Sequence, residues 1–196
     1  MAREKIIALG KKMTDRIPYK LGFEKLTETD PEYYGLECIV SDEEADVALQ
    51  MGLRKPTTPE KIAKKMGKPV SYVQEIMDSL AGKGVLEYNY DTPDGSRQYV
   101  LPIFVPGAAE LMNMHPDQVE KYPQIAQFFE RMAFLPLTKI TPLVPPGGNG
   151  IGMHVIPVEK AIPATNESVS IEHISHWLKK YEGQLGVGYC SCRNAM

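Results

Sequence analysis

The chain has 196 residues, of which 43% are hydrophobic and 24% are charged, and its formal net charge is −3 at pH 7. This composition predicts a globular protein with one full core, or one core plus a smaller lobe. The small negative charge argues against general attraction to nucleic acid or anionic membranes, and no run approaches 18 apolar residues or resembles a signal peptide. We therefore expect a cytoplasmic protein without a membrane segment.

The first segment, residues 1–40, predicts one short amphipathic helix over residues 2–13. The stretch from there to about Val40 predicts irregular structure, because prolines and glycines such as Pro18 and Gly22 interrupt it.

Three helices are predicted next. Ser41 and Glu44 form a capping-box pattern that opens the first helix. Thr58 and Pro59 are typical of the start of a second, short helix that ends near Gly67. The third helix begins around Val70–Ser71, and its apolar residues follow the spacing of a buried face: Val73, Ile76, Met77 and Leu80.

Two alternating segments, 85–90 and 97–101, predict a β-hairpin after these helices. Helix, short helix, helix and hairpin is the order of a winged helix-turn-helix, which we assign to residues 41–105. The charge of this segment argues against DNA binding, because it carries ten acidic and eight basic residues. The contrary evidence is a basic stripe at helical spacing: Lys61, Lys64, Lys65 and Lys68.

Residues 106–196 predict a helical and extended C-terminal extension. A helix over 116–134 is expected to kink or split at Pro123. A proline- and glycine-rich linker follows at 135–150, then an edge strand at 154–158, a helix at 170–181 with inward apolar residues, and a strand-like stretch at 185–189. The fold class is α+β, mainly α.

A Cys-x-Cys pair, Cys190 and Cys192, is the main candidate site. Two thiolates at this spacing can reach one soft metal ion or one iron of a cluster, but iron–sulfur and structural zinc sites use four ligands. We favour metal ligation, with the remaining ligands absent from this chain, and expect a fragment cut inside a metal motif. A redox pair is disfavoured because such pairs normally have Cys-x-x-Cys spacing, and a disulfide between residues this close is unfavourable. The alternative to metal ligation is therefore two unrelated buried cysteines.

His173 and His176 lie three residues apart and would complete a His₂Cys₂ zinc set with the cysteine pair. We favour the interpretation that both histidines lie on the polar side of an amphipathic helix. The remaining cysteine, Cys38, lies among apolar residues and predicts a core thiol.

Five segments occur in a fixed order along the chain: Ile-Val-Ser-Asp-Glu-Glu-Ala-Asp-Val-Ala-Leu (39–49), Ile-Ala-Lys-Lys-Met-Gly (62–67), Phe-Val-Pro-Gly-Ala-Ala-Glu (104–110), His-Val-Ile-Pro-Val (154–158) and Cys-Ser-Cys-Arg (190–193). Their order resembles the N-terminal region of bacterial ferredoxin-type iron–sulfur oxidoreductases, some of which continue into a flavin- and pyridine-nucleotide-dependent disulfide-oxidoreductase module.

The resemblance implies that Cys190 and Cys192 begin a cysteine group completed downstream around a four-iron–four-sulfur cluster. It also implies FAD and NAD(P) in some parent proteins, and no catalytic residue is transferred to this chain. We therefore expect a non-catalytic N-terminal region of an electron-transfer oxidoreductase, whose winged helix docks on a downstream ferredoxin-like or flavin domain or in a homodimer. The alternative is a DNA-binding transcriptional regulator whose cysteine pair senses redox state or metal.

Overall fold

The computed structural model describes residues 2–89, 92, 96–132 and 174–195, with the side chains of 89 and 129–132 excepted. The chain divides into two compact units. Unit 1 comprises Met1–Phe134 and Tyr189–Met196, and unit 2 comprises Leu135–Gly188. The linker at 135–150, the edge strand at 154–158 and the predicted start of the helix at 170 lie outside the described residues.

The N-terminal segment is more helical than its sequence predicts. Helix α1 (Glu4–Met13) is confirmed, but the stretch predicted to be irregular contains α2 (Ile17–Lys20) and α3 (Pro31–Glu37). Both short helices carry a proline in their first turn, where the missing N–H costs nothing, so these prolines start helices.

Buried polar contacts hold these short helices in place. The Glu32 carboxylate accepts hydrogen bonds from Thr14 Oγ1 at 2.9 Å and Arg16 Nε at 3.0 Å. Tyr19 donates its hydroxyl to Asp30 at 2.9 Å, and the Arg16 guanidinium lies 4.0 Å from the centre of the Tyr19 ring. These contacts join residues up to 18 positions apart in sequence, so tertiary packing rather than local propensity stabilises α2 and α3.

Helices α4 (Asp42–Gln50), α5 (Pro59–Met66) and α6 (Val70–Gly82) confirm the three predicted helices. The capping box is formed, with Glu44 N donating to Ser41 Oγ at 3.1 Å and Ser41 N donating to Glu44 Oε2 at 2.8 Å. Gly67 ends α5 in the left-handed conformation. On α6, Val73, Met77 and Leu80 are fully buried, as their spacing predicts.

The hairpin is also confirmed, but its strands are short. Strands β1 (Glu87–Asn89) and β2 (Gln98–Val100) pair antiparallel, with Tyr88 opposite Tyr99. The segment between α4 and α5 adds a bridge that the sequence does not predict. Thr57 and Tyr99 exchange two backbone hydrogen bonds of 2.9 Å, and Arg54 N donates to Leu101 O at 2.8 Å.

Short helices follow the hairpin in unit 1. A turn at Phe104–Ala108 leads into α7 (Ala109–Asn113), followed by α8 (Pro116–Lys121) and α9 (Gln124–Met132). The predicted helix over 116–134 is therefore split near Pro123, as its sequence indicates. Ile125 and Phe128 of α9 are buried, and the Phe128 ring packs edge-on against Phe104, with 5.1 Å between centroids.

Gly84 makes the approach of α7 to the end of α6 possible. Its φ is +77°, and a Cβ atom there would lie 2.6 Å from the Leu111 carbonyl carbon. Gln118 of α8 closes the same junction by donating its amide to Lys83 O and Met112 O, both at 3.1 Å.

One hydrophobic core runs through the described part of unit 1. It includes residues from α1, α3, α4, α6, the hairpin, α7 and α9: among them Ile6, Leu36, Val47, Met77, Tyr99, Met112 and Ile125. Over the described residues the fold is mainly helical with one small sheet, in agreement with the predicted α+β class.

The described part of unit 2 contains α10 (Ile174–Lys180). The prediction that its apolar residues turn inward is wrong within these residues, because Ile174, Leu178 and Tyr181 are all exposed. The stretch 184–190 has no regular secondary structure, so the predicted strand there is wrong as well.

None of the helices in the described ranges combines the length and the apolarity that are needed to span a bilayer.

Candidate metal centre

The two C-terminal cysteines lie at the start of the short helix α11 (Ser191–Asn194), which belongs to unit 1. Cys190 is the N-cap residue and Cys192 is the second helical residue, and both side chains are exposed. The alternative of two buried cysteines is therefore wrong, whereas metal ligation by the pair stays a prediction.

Helix α11 is attached to the core of unit 1 by a hydrogen bond that spans 81 residues of sequence. The Asn194 side chain donates from Nδ2 to the backbone oxygen of Asn113 at 2.9 Å. Asn194 also donates its backbone N–H to the carbonyl of Cys190 at 2.9 Å. One residue thus contacts both the backbone of a candidate ligand and the last residue of α7.

Asn113 is itself fixed from within the core. It is fully buried, and its Nδ2 donates to Ala109 O at 2.9 Å and to Ile125 O at 3.1 Å, which joins α7 to α9. Its Oδ1 accepts no hydrogen bond from any described residue. A buried unpaired carbonyl oxygen costs about 1–3 kcal/mol. The two bonds that Nδ2 donates therefore fix the orientation of the side chain even though this orientation leaves Oδ1 unpaired.

The donor set available around α11 is two thiols. Within the described residues, no group of three or more His, Cys, Asp or Glu side chains is placed to hold a metal ion. Soft, accessible thiols fit half of a four-thiolate iron–sulfur or zinc site. The other ligands would have to come from outside the described residues.

The predicted His₂Cys₂ zinc set stays untested, because His173 lies outside the described residues. His176 belongs to unit 2, where its ring packs edge-on against Trp177 with 5.4 Å between centroids.

Cys38 differs from the other two cysteines in its environment. It is half-buried against the core, and its Sγ donates to Gly35 O at 3.5 Å. Burial raises the pKa of this thiol to about 11, so almost none of it is thiolate near neutral pH. Cys38 thus packs against the core, as its apolar neighbours indicate, but it is not fully buried within it.

Polar side chains of α6 are tied to the hairpin. Gln74 donates to the Tyr99 hydroxyl at 2.6 Å and to Asp78 at 2.8 Å, and Arg97 forms an ion pair with Asp78. Desolvation of Asp78 opposes its ionisation, but hydrogen bonds from Tyr99, Gln74 and Arg97 outweigh it and lower its pKa. Asp78 is therefore a carboxylate near neutral pH, and the Arg97 cation is occupied in neutralising it.

The lysines of the predicted basic stripe are only partly available to a phosphate backbone. Lys65 donates to Gln50 O at 2.8 Å, where it satisfies a carbonyl at the end of α4. Lys68 lies beyond the end of α5 at Gly67, so it does not continue the helical stripe, and it is 5.8 Å from the centre of the Tyr72 ring. Lys61 and Lys64 are exposed.

A second polar cluster fixes α6 against α4. Glu44 accepts hydrogen bonds from Ser79 Oγ at 2.7 Å and from Lys83 Nζ at 2.6 and 2.8 Å. Burial opposes ionisation of Glu44, but the bonds from Lys83, Ser41 and Ser79 outweigh it, so its pKa lies below the usual range. This one carboxylate accepts a bond from the N-cap residue of α4 and pairs with Lys83, which directly follows the end of α6.

The sequence interpretation missed Asn113 and Asn194. A polar residue at a buried position of α7 is a signal for Asn113, whereas nothing in the local pattern indicates its contact with Asn194.

No protein-family model, no curated protein and no solved structure matches this chain.

Proposed function

We propose that residues 41–105 form a winged helix-turn-helix. The order α4, α5, α6 and the β1–β2 hairpin supports this assignment. The backbone bonds between Thr57 and Tyr99 support it further, because they attach the segment between the first two helices to the hairpin as a third, one-residue strand.

We infer that this winged helix docks on protein and does not read DNA. A reading helix needs free cationic or amide side chains to contact base edges and phosphates. Gln74 and Arg97 are bonded to Asp78 and Tyr99, and the exposed Glu75 adds negative charge to α6.

We propose that the chain is a non-catalytic N-terminal region of a cytoplasmic iron–sulfur electron-transfer oxidoreductase. The observation that carries this proposal is the exposed pair Cys190 and Cys192 on a helix that Asn194 anchors to the core. An accessible pair held by the folded unit can supply two thiolates to a site shared with another domain.

In this proposal, Cys190 and Cys192 would supply two of the thiolate ligands of a four-iron–four-sulfur cluster, and a downstream ferredoxin-like or flavin domain would supply the remaining ligands. The cluster, when bound, transfers single electrons. FAD and NAD(P), where the parent protein binds them, would belong to the downstream module. Unit 1 would hold the cysteine pair in position, because the backbone of Cys190 is hydrogen-bonded to Asn194.

The experiment that tests the proposal is purification of the native-length gene product without air, followed by iron and acid-labile sulfide analysis and a visible spectrum. Iron with stoichiometric sulfide is expected. A colourless protein that contains neither would overturn the assignment.

The second candidate is a transcriptional regulator with a sensing cysteine pair, and the exposed Lys61 and Lys64 favour it. Such a protein would bind duplex DNA, and the logarithm of its binding constant would fall linearly with the logarithm of the salt concentration. Fluorescence anisotropy of labelled DNA between 50 and 200 mM salt, about the range over which phosphate contacts are lost, distinguishes the two candidates. If the winged helix docks on protein instead, we expect no DNA binding at the higher salt concentration.

A further inference from the structure

A continuous series of hydrogen bonds leads from Cys190 to the buried core of unit 1. The carbonyl of Cys190 accepts from the backbone of Asn194, and the Asn194 side chain donates to the carbonyl of Asn113. The Asn113 side chain then donates to carbonyls of α7 and α9.

The bond from Asn194 to Asn113 is the step in this series that joins the most distant parts of the sequence, 81 residues apart. The two cysteines are one residue apart, so an undocked or unfolded chain still presents both thiols at short range. A metal ion can therefore bind the two thiols whether or not α11 is packed on the core of unit 1. The two states differ only in that packing, which is called docking of α11 here.

We infer that Asn194 is a positioning residue that couples metal binding at Cys190 and Cys192 to the folding of unit 1. This inference rests on the proposed function of the pair as metal ligands. Docking orders the backbone of α11 before a metal arrives, so the docked state binds more tightly than the undocked state. Linkage is reciprocal, so a bound metal must stabilise the docked unit by the same factor.

The test uses cadmium ion as a thiolate probe on the reduced chain under anaerobic conditions. Cadmium affinity is followed by thiolate-to-metal absorption, and the stability of unit 1 is followed by urea unfolding with and without saturating cadmium. Loss of one hydrogen bond in Asn194→Ala should weaken cadmium binding about fivefold. Saturating cadmium should lower the unfolding equilibrium constant of wild type by the same factor. In Asn194→Ala, cadmium should leave that constant nearly unchanged.

The matched control is Ser191→Ala, which alters the same helix without touching the bond to Asn113. It should keep the affinity and the stabilisation of wild type. A purely structural role for Asn194 would lower stability equally with and without cadmium, and that result would overturn the inference. Equal cadmium affinity in wild type and Asn194→Ala would overturn it as well.

The outcome is separable from that of the proposed function. Absence of iron and sulfide from the native protein removes the proposed cluster, whereas the cadmium measurements decide whether α11 couples its thiols to the core.

Discussion

The amide of Asn194 donates to the backbone oxygen of Asn113 at 2.9 Å and so attaches a four-residue helix to the core of unit 1. Without this bond, the exposed cysteines would lie on a short helix with little intrinsic stability. The bond gives the candidate ligands a defined position relative to α7. Asn113 is therefore one residue through which the fold holds the proposed site.

Asn113→Asp should destabilise unit 1 by about 3 kcal/mol or more, because it places a carboxylate oxygen against the carbonyls of Ala109 and Ile125 in a fully buried position. Asn113→Ala removes the same hydrogen bonds without adding charge and should cost about 2 kcal/mol. Urea unfolding measures both. An aspartate variant that is as stable as the alanine variant would contradict the role assigned to Nδ2.

Gly84→Ala should destabilise the protein by about 3 kcal/mol or more, since it combines a left-handed backbone with a clash against the backbone of Leu111. Gly82→Ala is the matched control, because a Cβ there meets no atom within 4 Å at the end of α6. That change should be neutral or stabilising by up to about 1 kcal/mol. Thermal unfolding of the two variants tests the contact, and similar melting temperatures would refute it.

Glu44→Gln should lower the free energy of unfolding at pH 7 by about 2 kcal/mol, because Glu44 is nearly buried and its charge pairs with Lys83. Its pKa in the folded protein lies below the usual value of 4.5. The stabilisation is therefore fully present above about pH 4.5 and is lost as the pH falls through the folded pKa.

Urea unfolding at a series of pH values from neutral to acid should show the gap between wild type and Glu44→Gln closing in acid. The control is Glu43→Gln, whose side chain is exposed on the same turn and should change stability by less than about 0.5 kcal/mol. A gap that stays constant with pH would show that the Glu44 charge contributes nothing.

Alkylation should separate the three cysteines of the chelator-treated, reduced protein. Cys190 and Cys192 are exposed, whereas Cys38 is half-buried with a pKa of about 11. Iodoacetamide at pH 8 should label Cys38 at least about tenfold more slowly than the pair. Mass spectrometry of timed samples gives the rates, and denatured protein provides the reference in which all three should react alike. Equal rates in the folded protein would contradict the structure around Cys38.

The parts of the fold that depend on neighbouring residues follow from the sequence. The Ser41–Glu44 capping box, the end of α5 at Gly67 and the division near Pro123 each involve residues a few positions apart. Helices α2 and α3 do not follow, because their stability comes from contacts such as that of Arg16 with Glu32. Prolines such as Pro18 predict interruptions of helical structure, whereas in the fold Pro18 and Pro31 lie in the first turns of α2 and α3.

The candidate site was predictable in the same limited sense. The spacing of Cys190 and Cys192 identifies two thiols that can share a metal, and both are exposed. Their attachment through Asn113 was not predictable, since a contact over 81 residues leaves no periodic signal. The inward face predicted for α10 failed because periodicity alone does not show what covers a helix face.

The most direct test of the central claim is iron and sulfide content per chain in the anaerobically purified native protein and in three single variants. Cys190→Ser and Cys192→Ser should lose most of the iron, the sulfide and the visible absorption. Cys38→Ser should retain all three, since Cys38 is half-buried against the core and does not belong to the candidate pair. Iron and sulfide that are absent from wild type, or that are unchanged in Cys190→Ser and Cys192→Ser, would contradict the assignment of the pair as cluster ligands.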